Sequence, residues 1–285
     1  MSTGRAHSIH VRLLNHAKAR GDDFNLVLNR YAVERWLYRL SVSEHRERLW
    51  LNGAMLFALW FDQPHRPTRD ADFLGIGELD RDALVALVRS VSEIGDHDGM
   101  TFDAASVVVE EIREEARYGG LRVRLTGYLG NARCPLQLDV GYGDAVETGP
   151  QESVFPCLLD GMPSPHLKVY PREAVVAEKL EAIASLGMIN TRMKDYFDLH
   201  ALALEGAVDI DDLAGAIAAT FRRRGTALLG DLPVGLTEQF ALDRAKQAQW
   251  RAFLGKNRLA GPDLEEVVQV IAGFVRGAMD RARGV

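Results

Sequence analysis

Two aspartates two residues apart, Asp70 and Asp72, stand in the segment Arg66-Pro67-Thr68-Arg69-Asp70-Ala71-Asp72-Phe73. In a strand, residues two apart point to the same side, so both carboxylates would project together. Carboxylates that close repel each other unless a cation lies between them. Paired hard oxygens suit Mg²⁺, which a protein holds through one or two carboxylates while substrate phosphates supply further oxygens. An exposed strand that carries two aspartates by chance fits the same spacing. Asp139 adds to the first reading. In Leu136-Gln137-Leu138-Asp139-Val140 the apolar residues take one face, and Asp139 takes the other with Gln137. Three carboxylates, Asp70, Asp72 and Asp139, on neighbouring strands could hold metal across an in-line phosphoryl displacement. A solvent-facing aspartate on an edge strand explains Asp139 as well. Gly53 ends an apolar strand and opens a helix, where a backbone approach to phosphate is easy and the helix N-terminus favours an anion; a simple turn explains it equally.

Charged residues also fall on helix faces that should be buried. A helix over 171–186 starts at Pro171 and buries Val175, Val176 and Ile183. Lys179 lies within about 40° of Val175 and Ile183 at 3.6 residues per turn. It must be paired there, or snorkel to water. If it meets a nucleotide, it is a point charge for phosphates. In a helix over 191–206, Arg192, Asp195, Leu199 and Leu202 share one side. A buried Asp195 needs a partner, and Lys179 and Arg192 are the candidates. An ion pair tying two helices accounts for the same pattern. Asp198, near that face, reads as a packing residue or a partner of Lys194.

The elements that must position these groups follow from periodicity. Residues 8–19 and 24–40 read as helices, Arg48–Leu51 as a strand, Ala54–Phe61 as an apolar helix, and Pro64 and Pro67 as a loop. Strands follow at 70–74, 107–112, 121–125 and 136–140, with a helix over 79–94 between the first two. Residues 144–165 hold four prolines and read as a connector. Helices are predicted over 171–186, 191–206, 209–223 and 264–281, and residues 225–263 give no clear pattern. The fold class expected is α+β, a mixed sheet with flanking helices plus a helical C-terminal half. The catalytic half would span 1–145, and the helical half, 146–285, would contribute Lys179 and Asp195.

Composition sets the class. Hydrophobic residues are 47% and charged residues 26% of 285, as in a soluble globular chain. A net charge of −6 argues against a protein that coats nucleic acid through lysine and arginine. Local basic clusters remain at Arg222-Arg223-Arg224 and at Arg122 and Arg124; a solvated helix end and a polar sheet face explain them too. Two cysteines, Cys134 and Cys157, suit a reducing compartment. The opening MSTGRAHSIH lacks the apolar stretch of a secretory signal. The longest apolar run near it, Ala54–Phe61, is too short for a membrane span. A cytoplasmic protein without a membrane partner is expected.

Taken together, N-G-A-M-L at 52–56, R-P-T-R-D-A-D-F at 66–73, L-Q-L-D-V at 136–140, A-E-K-L at 177–180 and R-M-K-D-Y-F-D-L at 192–199 resemble the AbiEii/MenT nucleotidyltransferase toxin family. The match covers about residues 48–205. The resemblance implies a fold like that of DNA polymerase β-type nucleotidyltransferases with an added helical half, in a bacterial toxin–antitoxin or abortive-infection system. It implies transfer of NMP from an NTP to RNA, with the tRNA 3′ end as acceptor, Mg²⁺ as cofactor, and a cognate antitoxin as partner. Position by position, Asp70 and Asp72 match the metal-binding D-x-D and Lys179 the phosphate-contacting lysine. Asp195 matches the essential acid of R-x-K-D, suited to activating the attacking hydroxyl, and Arg192 opens that segment beside the nucleotide. Thr68 matches a residue near the phosphates, and Gly53 the glycine of the first motif. Where the family often carries two small residues, this chain has Asn52-Gly53. A small-molecule acceptor, as for aminoglycosides, and a non-catalytic nucleotide-binding partner are the alternatives.

Overall fold

Alternation along Leu136–Val140 buries one side of a strand and leaves the other polar, and this pattern organises a seven-stranded sheet. The computed structural model describes residues 3–61, 66–68, 70–112, 119–142 and 149–284. Pro64, Arg69 and the boundary expected at residue 145 lie outside the described residues. Contacts divide the chain into two units, one drawn from Met1–Asp144 and Pro150–Tyr170, the other from Ala145–Gly149 and Pro171–Val285. The fold is mixed α/β, as the α+β expectation holds.

The first unit runs α1 (Thr3–Arg20), α2 (Phe24–Ser41), β1 (Leu49–Asn52), a 3₁₀ turn at Gly53–Leu56, α3 (Phe57–Trp60), β2 (Asp70–Gly75), α4 (Arg81–Glu93), β3 (Met100–Ile112), β4 (Gly120–Leu129), β5 (Ala132–Tyr142), β6 (Gln151–Val154) and β7 (His166–Val169). The sheet order is β3-β4-β5-β2-β1-β7-β6. β2 lies parallel to β5 and antiparallel to β1, and β4 is antiparallel to β5. Asp23 caps α2 through the Leu26 N–H and Asp80 caps α4 through the Ala83 N–H. α2 is buried along most of its length and packs against the apolar sheet face, with Trp36 edge-on to Phe73 and donating to Ser92 of α4. Arg39 is tolerated inside because Asp98 accepts from two of its nitrogens, at 2.6 and 3.1 Å, and backbone carbonyls take the rest.

Two expectations are corrected in this unit. The stretch 144–165 is not a mere connector, since β6 forms within it and pairs with β7, which pairs with β1. Its prolines bracket the strands instead of interrupting them: Pro150 precedes β6, and the Pro165 carbonyl accepts from Phe155 N–H at 2.8 Å. The apolar run 54–61 is a 3₁₀ turn followed by one four-residue helix. So little aligned backbone sums to no useful dipole, which removes the helix-terminus argument for an anion at Gly53.

The second unit is helical: α5 (Arg172–Leu186), α6 (Met193–Glu205), α7 (Ile210–Arg224), α8 (Glu238–Ala241), α9 (Arg244–Asn257) and α10 (Leu264–Ala282). Gly206 and Gly225 end α6 and α7 in the left-handed conformation. Tyr196 stacks on Phe240 at 5.0 Å and donates to the Gly235 carbonyl. Trp250 is buried against Phe253 and donates to the Pro262 carbonyl at 2.9 Å.

Candidate active site

β2 alternates as the sequence requires. Ala71 and Phe73 are buried on the core side, while Asp70 and Asp72 are half-buried together on the other. Asn52 lies across from Asp72 on β1, and Asp139 across from it on β5. Gly53 stands against Asp72 for a steric reason. Its φ is +70°, and a Cβ there would clash with the Asp72 carboxylate, reaching within 2.7 Å of Cγ and 2.8 Å of Cβ. Glycine is thus demanded twice, by backbone conformation and by the aspartate that fills its missing side chain. The Gly53 N–H donates to the Asn52 side-chain oxygen at 2.6 Å. That amide is therefore occupied within the chain. Thr68 Oγ1 donates to the Asp70 carbonyl at 3.2 Å, which fixes the approach to β2.

Asp139 shares the polar face, but its partner was not legible in the sequence. Arg122 sits opposite it on β4, and its Nε and Nη2 donate to Oδ1 and Oδ2 at 2.8 and 2.7 Å. Gln137 Nε2 adds a third contact at 3.3 Å. Arg122 is held above its ordinary range chiefly by the Asp139 hydrogen bonds, with the charges of Asp139, Asp70 and Glu110 adding to the effect. Among the described residues, no three histidine, cysteine or carboxylate side chains gather as a metal cage. Asp70 and Asp72 are hard oxygen donors of the kind that suits a divalent cation such as Mg²⁺.

The second unit resolves the charges on its buried faces. Lys179 Nζ donates to Asp195 Oδ1 at 2.9 Å and to Asp198 Oδ2 at 2.8 Å, and Arg192 Nε donates to Asp195 Oδ2 at 2.6 Å. Both aspartate side chains are fully buried, Lys179 is 13% exposed and Arg192 is 45% exposed. Burial alone would lower the Lys179 pKa, but Asp195 and Asp198 outweigh it and raise it. Burial would likewise raise Asp195, yet Lys179 and Arg192 hold it below the ordinary carboxylate range. Asp198 thus pairs with Lys179, whereas the sequence pointed to packing or Lys194; its spacing of three from Asp195 was the available signal. Asn190, fully buried, prepares the turn by accepting from the Arg192 N–H at 2.8 Å and, through its carbonyl, from Lys246 at 2.8 Å.

The arginines read as candidate basic clusters are largely consumed internally. Arg122 holds Asp139, Arg124 donates to both oxygens of Glu110 at 2.7 Å, and Arg224 pairs with Glu181 at 2.9 Å. Among the described residues, no helix is long and apolar enough to cross a membrane.

Residues 35–270 match the family described as nucleotidyl transferase AbiEii toxin, type IV toxin–antitoxin system. The chain therefore belongs to the AbiEii nucleotidyltransferase toxin family. Among solved structures it is similar to JHP933 from Helicobacter pylori, at 18% identity and TM-score 0.48, over 96% of this chain and 94% of that one. It is also similar to a protein from H. pylori named as a candidate nucleotidyltransferase, at 19% identity and TM-score 0.44, over 96% and 97%. No match is found among curated protein sequences.

Proposed function

We propose that this chain is the toxin of a toxin–antitoxin pair and transfers NMP from an NTP to an RNA hydroxyl, with the tRNA 3′ end as the favoured acceptor. The observation that carries the reading is the pair Asp70 and Asp72 on one sheet face, with Asp72 seated against Gly53, in a chain of this family. Asp70 and Asp72 would hold Mg²⁺, which when bound offsets charge developing on the triphosphate and its pyrophosphate leaving group. Thr68 keeps the strand start in place through the Asp70 carbonyl. Lys179 spends two of its three N–H donors on Asp195 and Asp198, and the third is the one proposed to meet a phosphate oxygen. Arg192, the more exposed cation, is proposed to contact the nucleotide as well. Asp195 fits a positioning role: both its oxygens already accept from cations, so taking up a hydroxyl proton would require it to release one. The family implies an antitoxin as partner.

A small-molecule acceptor is the second reading. It is favoured by the internal pairing of Arg122, Arg124 and Arg224, which leaves less cationic surface for RNA. One assay tests both. Purified protein is incubated with total RNA, Mg²⁺ and each labelled NTP in turn. Label entering tRNA supports the RNA reading, and label entering only a small acceptor supports the second. An Asp70→Ala protein should lose transfer by about 100-fold or more, since it loses electrostatic stabilisation of the transferring group. Full transfer by that variant would defeat the assignment.

A further inference from the structure

The third carboxylate of the polar sheet face raises a question of its own. Asp72, Asp139 and Arg122 lie in one cross-strand row on β2, β5 and β4. Asp139 resembles a ligand in sequence, yet its two oxygens accept three donors from the protein: two from Arg122 at 2.8 and 2.7 Å and one from Gln137 at 3.3 Å. A bidentate guanidinium–carboxylate pair is strong and fixes orientation as well as charge. A divalent cation on Asp139 would have to displace that guanidinium or stand beside it against like-charge repulsion.

We propose that Arg122 is a positioning residue that withholds Asp139 from metal coordination, placing a fixed guanidinium charge where a third carboxylate ligand would otherwise stand. The assignment rests on the nucleotidyltransferase reading of the Asp70–Asp72 pair. Arg124, two residues along β4, does not compete for this role, because Glu110 takes it with both oxygens at 2.7 Å.

The test is Mn²⁺ binding to the full chain without nucleotide, followed by electron paramagnetic resonance and titration calorimetry. Wild type should bind one Mn²⁺, and Asp72→Asn should abolish it. Arg122→Met removes the charge but keeps the stem; it should bind Mn²⁺ about 10-fold tighter or take up a second ion, because a further carboxylate ligand becomes available. Adding Asp139→Asn to Arg122→Met should restore wild-type binding. Arg122→Lys, which keeps the charge but not the fork, provides a second variant should Arg122→Met fold poorly, and should fall between the two. The inference is overturned, with the metal reading intact, if wild type binds Mn²⁺ through Asp72 but the Arg122 variants bind it unchanged. It is equally overturned if Asp139→Asn alone weakens wild-type binding about 10-fold, since Asp139 would then already be a ligand. Absence of Asp72-dependent binding in wild type overturns the metal reading and this inference with it.

Discussion

Gly53 and Asp72 work as a matched pair: one lacks a side chain where the other places its carboxylate. Adding a single methyl should therefore act on the site without changing any charge. Gly53→Ala is expected to fold, because the left-handed backbone costs a non-glycine residue only about 1–2 kcal/mol. It should lose about 100-fold in nucleotidyl transfer through displacement of Asp72. Circular dichroism checks the fold and the labelled-NTP assay checks the loss; wild-type transfer would show that Asp72 need not hold its present place. How much of this was legible differs by residue. That Asp70 and Asp72 share a face follows from strand period alone. That Asp139 joins their row needs only the guess that its strand is adjacent to theirs. The commitment of Asp139 to Arg122 was hidden, because it depends on which strand pairs with which and in what register. The clash at Gly53 was hidden too, because it comes from the approach of β2 to the end of β1 and not from any local pattern.

At the scale of elements, α5 and α6 are joined through Lys179 and its two aspartates, and that junction has a defined pH dependence. Asp195 has a depressed folded pKa, so its stabilisation is complete above the unfolded value of about 3.9 and is lost as pH falls through the lower folded value. Lys179 has a raised folded pKa, so its stabilisation is complete below the unfolded value of about 10.4 and is lost as pH rises through the higher folded one. Asp195→Ala, which leaves the buried Lys179 with Asp198 alone of its two carboxylates, should destabilise by about 3 kcal/mol. In urea unfolding, the gap from wild type should stay flat from about pH 5 to 9 and narrow only toward the extremes. A gap that closes between about pH 6 and 7 would show that Asp195 is not held anionic by these neighbours. The elements carrying the site were mostly readable, because α2, α4, α5, α6 and β5 have clear apolar periods. β6 and β7 escaped notice because each is four residues long and flanked by prolines. α9 escaped because few of its residues are buried, though Asp243, which caps it through the Lys246 N–H, was a usable start signal.

For the whole molecule, net charge and ion pairing act together. A chain of charge −6 that ties Arg122, Arg124 and Arg224 to its own carboxylates takes its two candidate basic clusters largely out of exchange with counterions on RNA. With an RNA acceptor, binding should weaken gently with salt. The log–log slope should be no steeper than about −2, given about −0.7 per phosphate contacted on a single strand. Filter binding over a salt series measures it, and a slope several times steeper would reveal a basic surface that the pairing pattern does not predict. The distribution of indoles gives a practical handle. Of four tryptophans, Trp36, Trp50 and Trp60 belong to the sheet unit, and Trp250 is the helical unit's own. Buried against Phe253 and tied to the Pro262 carbonyl, Trp250 should emit at short wavelength when that unit is intact and shift red when it melts. Replacing the other three with phenylalanine would leave an optical label on one half of the chain, so that the melting of the helical unit could be followed by itself.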